Sequence, residues 1–302
     1  MKLILKRRSV LFCLTFFVLV FIFYIGWFSN SCEYNEKLIP VVLPEVHKPE
    51  ISLPATYLVI LIMSASDDPI LRDTIRNTWL KLSNKGTSYI RHLFPIGVQN
   101  LTSNQKARLL EEQEQFGDLA ILENHTERYE NLARKTAFGI QFAVKQFQFK
   151  FLLKVDSDSF VRLGALLKSL KDIEHSMLYW GFLDGRARPF RKGKWKEPDW
   201  ILCDRYLPYQ LGGGYVLSYN LAKFISDNIK LLKFYKSEDV SVGAWLAGLD
   251  VKYIHDPRFD TEFASRGCNN EYLITHKSLK MVISYGILTS KLRSRFREIG
   301  VS

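Results

Sequence analysis

The chain has 302 residues, 47% of them hydrophobic and 24% charged, with a formal net charge of +11. Its four cysteines show no C-x-x-C spacing, which argues against a zinc module. Residues 56–302 suffice for one large domain or two small ones, with no internal repeat or second linker to divide them.

Residues 10–28 (VLFCLTFFVLVFIFYIGWF) form an uncharged apolar stretch, long enough as a helix to span a bilayer. Lys2, Lys6, Arg7 and Arg8 precede it, and Glu33 and Glu36 are the first charges after it. The positive-inside rule then keeps residues 1–9 cytoplasmic and sends everything past residue 28 into a lumen. A cleaved signal peptide fits less well, because 28–31 lacks a small-x-small site. That topology excludes a nucleic-acid partner. Pro40, Pro44, Pro49 and Pro54 mark residues 29–55 as an extended stem. Cys32 in the stem leaves a homodimer open.

In the domain, residues 57–63 (YLVILIM) read as a strand covered on both faces. Leu71, Ile75 and Trp79 mark the apolar face of a helix that also carries Arg72 and Arg76. A strand near 92–98, a polar helix over 103–116 and a short strand at 119–122 follow. A helix over 131–144, bearing Lys135, leads into an apolar strand at 149–155. Alternation of this kind predicts a mainly parallel sheet with helices on both faces.

Asp156-Ser157-Asp158 ends that strand, at the sheet edge where open α/β folds bind ligands. Two carboxylates there can hold a hard divalent cation that grips phosphates, although Asp-x-Asp also caps helices and closes turns. Beyond it a helix is predicted over 161–170, a strand over 179–182 and a basic, aromatic loop over 186–200. The basic residues 186–196 and 291–297 are either solvated loop and tail or a patch for a negatively charged ligand. Gly212-Gly213-Gly214, among tyrosines, is either a tight turn entering a strand or a loop facing substrate. Glu238 and Asp239 precede an apolar helix over 241–249. They are either partners of its dipole or a catalytic carboxylate held at the helix start. His276 follows a short apolar run and could serve a transition-metal ion such as Mn²⁺. Cys203 and Cys268 are left as a candidate disulfide. Asn100-Leu101-Thr102 and Asn124-His125-Thr126 are glycosylation sequons for a lumenal face.

Taken in order, these pieces resemble glycosyltransferase family 31, the β-1,3-glycosyltransferases. The resemblance rests on Arg72-x-x-Ile75-Arg76-x-Thr78-Trp79, Tyr129-x-Asn131-Leu132-x-x-Lys135-Thr136, Asp156-Ser157-Asp158, residues 206–218, Glu238-Asp239-Val240 and Thr275-His276-Lys277, and covers roughly 57–281. Residues 178–182, 202–204, 237–246, 255–262 and 265–268 look most like the members acting on the glycosaminoglycan linkage region. Ser157 departs from the family's usual third aspartate, which puts that acid's contacts in doubt. The resemblance implies one Rossmann-like domain of GT-A type with a mixed, mainly parallel sheet, preceded by a transmembrane helix in a single-pass type II protein of the Golgi membrane. It implies UDP-galactose as donor, galactosyl-β-1,4-xylose on a core-protein serine as acceptor, and Mn²⁺ held by Asp158, Asp156 and His276. Arg72, Arg76 and Lys135 become candidate nucleotide or phosphate contacts. Asp239 is expected as the general base with Glu238 as its alternative, and the basic loop with Trp195 is expected on the acceptor side. The rival activities are a β-1,3-N-acetylglucosaminyltransferase and a non-catalytic Golgi sugar-binding protein.

Overall fold

The computed structural model describes residues 53–83, 89–193, 196–267 and 269–276. Strand β1 (Ala55–Met63) is buried from Thr56 onward, and its alternate side chains enter two separate cores. Leu58, Ile60 and Ile62 join one, while Val59, Leu61 and Met63 join the other. A strand apolar on both sides must be covered on both, each fully buried Leu or Ile contributing about 1.5–3 kcal/mol. Helices α1 (Pro69–Asn77), α2 (Ser103–Phe116) and α4 (Leu163–Asp172) cover the first face through Ile75, Leu109 and Leu166. Helices α3 (Leu132–Gln146), α5 (Tyr219–Asn228) and α6 (Glu238–Leu246) cover the second through Ile140, Ile225 and Leu246.

The sheet has the order β3-β2-β1-β4-β7-β6-β8. Strands β2 (Ile90–Gly97), β3 (Leu119–Leu122) and β4 (Gln148–Asp156) continue β1 in parallel, with Met63 opposite Asp156. Strand β7 (Tyr209–Ser218) runs antiparallel between β4 and β6 (Leu178–Asp184), and β8 (Lys252–His255) pairs in parallel with β6. The sheet is therefore mixed and mostly parallel, and the Rossmann-like, GT-A type architecture follows. A small second sheet joins β5 (Phe160–Val161), β10 (Ile274–Thr275) and β9 (Phe259–Asp260), drawing the end of the described chain back beside Asp158.

The expected membrane-spanning helix needs correction. Among the described residues no helix is long and apolar enough to cross a membrane, while residues 10–28 lie outside them, as do the tail and Cys32. The described chain therefore does not support a transmembrane element or the type II Golgi placement drawn from it. The expected bridge is corrected too: Cys203 is a free, exposed thiol, donating to the Arg205 carbonyl at 2.8 Å, and Cys268 lies outside the described residues. Two elements near the site differ from the sequence reading. The glycine segment is a strand rather than a turn or loop, and α6 begins at Glu238, so its acids lie inside the first turn.

Candidate active site

Three segments converge where β1 and β4 end. Asp156 closes β4, and Asp158 follows it in a turn fastened by the Ser159 N–H donating to the Asp156 carbonyl at 3.1 Å. Pairing of Ile274 with Val161 and Thr275 with Phe160 then delivers His276. Its Nδ1 lies 3.3 Å from Asp158 Oδ1 and 3.1 Å from Ser159 Oγ. One ligand atom each from Asp156, Asp158 and His276 lies within 4.8 Å of the others. Adjacent ligands of an octahedral ion with bonds near 2.1 Å stand about 3 Å apart, so two carboxylates and an imidazole fit a hard divalent cation. Burial and the charge of Asp156 raise Asp158 above the usual carboxylate range against the pull of His276.

The three glycines of β7 explain why side chains are absent there. A Cβ on Gly213 would stand 2.7 Å from Cγ of His276, and one on Gly214 would stand 2.8 Å from Cδ1 of Ile274. A Cβ on Gly212 would come within 3.2 Å of Asp239 Oδ2. Instead the Gly212 N–H donates to Asp239 Oδ2 at 3.0 Å, and the Gly213 carbonyl accepts from Ser159 Oγ at 2.8 Å. Asp239 and His276 thus rest against successive residues of one strand.

Lys154, unmarked by the sequence reading, ties these parts together. It is fully buried in β4, and its Nζ donates to Asp156 Oδ1 at 2.7 Å, the Gly212 carbonyl at 2.6 Å and Glu238 Oε2 at 2.9 Å. Burial alone would lower its pKa, but Asp156 and Glu238 outweigh that and hold it above the usual lysine range. The Tyr215 hydroxyl donates to the other oxygen of Glu238. That phenol stays protonated, since burial and Glu238 raise it far above its ordinary value. Glu238 is therefore locked on both oxygens. Asp239, half-buried, receives among the described residues only the N–H groups of Gly212 and Val240. Burial, then the neighbouring charge of Glu238, push it up to about 7. A lysine inside an otherwise apolar buried strand, two residues before an acid, was the signal for Lys154. Ser159 and Tyr215 carried no comparable mark.

The three cations expected to meet phosphate are each engaged by acids or carbonyls of the protein. Arg72 is fully buried: Nε and Nη2 donate to Glu112 at 2.8 and 2.6 Å, and Nη1 donates to Ser64 Oγ at 3.1 Å and to the Ala65 carbonyl. Arg76 donates to Glu112 and, through two nitrogens, to Asp118. Lys135 donates to the Ser64 carbonyl at 2.5 Å and Glu127 at 2.6 Å. Their heads are all hydrogen-bonded within the protein. Arg72 and Lys135 instead brace the turn after β1, beside Asp156. Asn100 and Asn124 are exposed on turns after β2 and β3, and Thr102 also caps α2.

The family model described as Galactosyltransferase matches residues 71–257. The chain belongs to the galactosyltransferase family. Beta-1,3-galactosyltransferase 6 of Mus musculus is 44% identical over 225 residues, covering 73% of this chain and 69% of that protein. Hydroxyproline O-galactosyltransferase GALT2 of Arabidopsis thaliana is 32% identical over 71% of this chain but only 32% of its own length. UDP-GalNAc:beta-1,3-N-acetylgalactosaminyltransferase 2 of Xenopus laevis is 30% identical, covering 55% of this chain and 35% of that protein. The chain thus spans about a third of these last two. As a galactosyltransferase-family member of the family 31 type, it is a UDP-sugar-dependent glycosyltransferase of the β-1,3-galactosyltransferase kind.

Proposed function

We propose that this chain moves galactose from UDP-galactose, with inversion, to the 3-hydroxyl of a galactosyl-β-1,4-xylosyl unit on a serine of proteoglycan core proteins, with 56–302 as its catalytic domain. The observation that carries this reading is the step along β7: Asp239 against Gly212, His276 against Gly213. A proton acceptor and an anchor for the donor's diphosphate thereby lie one residue apart. An α-linked donor giving a β-linked product requires in-line displacement, which needs those two groups.

Asp156, Asp158 and His276 would hold Mn²⁺. When bound there, the ion offsets negative charge on the departing diphosphate. Asp239 takes the proton of the acceptor hydroxyl, and its pKa near 7 suits a base working near neutral pH. Glu238 cannot share that task while Tyr215 and Lys154 occupy both its oxygens. Lys154 orients Asp156, and Ser159 orients the His276 ring. The β-1,3-galactosyl linkage is supported by the likeness to the mouse relative, and the acceptor by the motif segments between 178 and 268.

Incubating the full chain with Mn²⁺, UDP-galactose and a galactosyl-β-1,4-xyloside should give a β-1,3-linked trisaccharide by NMR. Faster turnover of UDP-N-acetylglucosamine would overturn the donor, and transfer only to other acceptors would overturn the acceptor.

A further inference from the structure

We infer that the described parts of the strap between β6 and β7, residues 185–193 and 196–208, are a docking surface for an acidic polypeptide segment of the acceptor. The inference rests on the reading that Asp239 faces the acceptor. Because β6 runs antiparallel to β7 and β7 antiparallel to β4, the strap leaves the sheet at the edge where Asp156 ends β4. It then folds onto the helix that carries Asp239. Trp200, Tyr206 and Tyr209 pack with Tyr235 and Val240, and the buried Glu197 accepts the N–H groups of Lys236 and Ser237 at 2.6 and 3.1 Å. Its two halves are bonded together, the Glu197 N–H donating to the Phe190 carbonyl and the Tyr206 N–H to the Ala187 carbonyl, both at 2.9 Å. These bonds hold the backbone of the described parts of the strap against the helix, and each contact fixed before binding lowers the cost of docking.

The outgoing half presents Arg186, Arg188, Arg191 and Lys192, all exposed and with no acid among residues 185–193. No carboxylate among the described residues pairs with their side chains. Phe190 and Ile201 expose apolar surface on the same strap, Ile201 being 87% exposed. Neither galactose nor xylose carries a charge. A cationic surface beside the acceptor base therefore answers to the chain on which the sugars are carried, and its partner is a segment rich in Asp and Glu. An anionic membrane offers the same charge and would show itself as loss only of vesicle binding.

The test compares three acceptors with the full chain: a small galactosyl-β-1,4-xyloside, and the same disaccharide on the serine of a Glu-rich or a Gln-rich peptide. KM should be about tenfold lower for the Glu-rich peptide than for the Gln-rich one, the scale of several exposed ion pairs acting together, and the gap should close in 1 M salt. The combined variant Arg186→Gln, Arg188→Gln, Arg191→Gln, Lys192→Gln should erase that ratio. A charge-keeping variant (Arg186→Lys, Arg188→Lys, Arg191→Lys, Lys192→Arg) should preserve it. Several results would overturn the inference: no preference in the parent chain, loss of the ratio in the charge-keeping variant, or a raised KM for UDP-galactose in its place. So would loss only of binding to phosphatidylserine vesicles. If no galactosyl-xyloside turns over, it is the acceptor reading that has failed. Fluorescence anisotropy of the unglycosylated Glu-rich peptide then still decides the strap, with binding lost in the glutamine variant expected and equal or absent binding in both chains overturning it.

Discussion

Arg72, Arg76, Glu112 and Asp118 form one charge cluster on this sheet, and Lys154, Asp156, Glu238 and Asp239 form another. They use the same chemistry with different arithmetic. In the first, two guanidinium groups meet two carboxylates. Burial alone would raise Glu112 and Asp118, yet the hydrogen bonds and charges of the arginines, with His92 on Asp118, hold both below the usual carboxylate range. In the second, a single ammonium serves two acids, and the third acid has, among the described residues, only backbone donors. Asp239 is accordingly raised to about 7. A buried carboxylate can take up a proton near neutral pH where cations are outnumbered.

The largest effect that could break this contrast is at Asp239. Asp239→Asn should lower kcat by about 10²–10⁴-fold while calorimetric UDP binding is retained; lost UDP binding would move the residue to the donor side. In the parent chain kcat/KM should fall as pH drops through about 7, because the acid then holds its proton. The stability sign runs opposite to that of an ordinary paired acid. The folded-state pKa lies above the unfolded value of about 3.9, so the folded chain binds the extra proton and Asp239 makes stability fall as pH rises between those values. The asparagine variant should therefore melt higher than the parent at pH 8. A lower Tm would mark Asp239 as a structural residue.

Lys154→Met and Arg76→Met should each destabilise the chain, as read from urea midpoints, by up to about 3–5 kcal/mol, since each removes a cation from buried carboxylates. The loss should be smaller at Arg76, because Arg72 stays on Glu112 and His92 on Asp118. Only Lys154→Met should also depress turnover under conditions where the chain is folded. A weaker UDP affinity in Arg76→Met would erase the distinction between the clusters. Gly213→Ala is a subtler probe: its methyl would stand 2.7 Å from the His276 ring and push it from its position. Mn²⁺-dependent UDP affinity should fall about tenfold, as for a lost supporting contact, and an unchanged affinity would remove His276 from the metal set. Smallest of all is Cys203→Ser, expected to shift stability by no more than about 0.5 kcal/mol. A reducing-agent-sensitive loss in the parent, absent from the variant, would restore the disulfide.

Much of the fold was legible because apolar period and caps are local signals. Helix α2 matches the predicted 103–116 span, its ends set by the Thr102–Gln105 capping box and by Gly117 in the left-handed conformation at φ 66°. Strand β3 likewise falls on 119–122. The glycine run was ambiguous because glycine carries no periodicity, and what decides it is contact with Asp239, His276 and Ile274, none adjacent in sequence. Helix α5 escaped notice although Leu221 and Ile225 lie four apart on its buried side. Arginine and lysine gave no sign of direction, since a guanidinium suits a phosphate and a carboxylate equally.

The order of residues alone was enough to identify the family, the alternation of strands and helices, and the acids and imidazole that meet at one edge. Burial patterns and motif spacing are written within short windows, and a single chain displays them. Which acid stays free, which cations are already spent and why three side chains are missing from β7 were decided by tertiary structure. Each depends on how many charged groups from distant segments enter the same small, poorly hydrated volume, and that count exists only after the chain has closed around it.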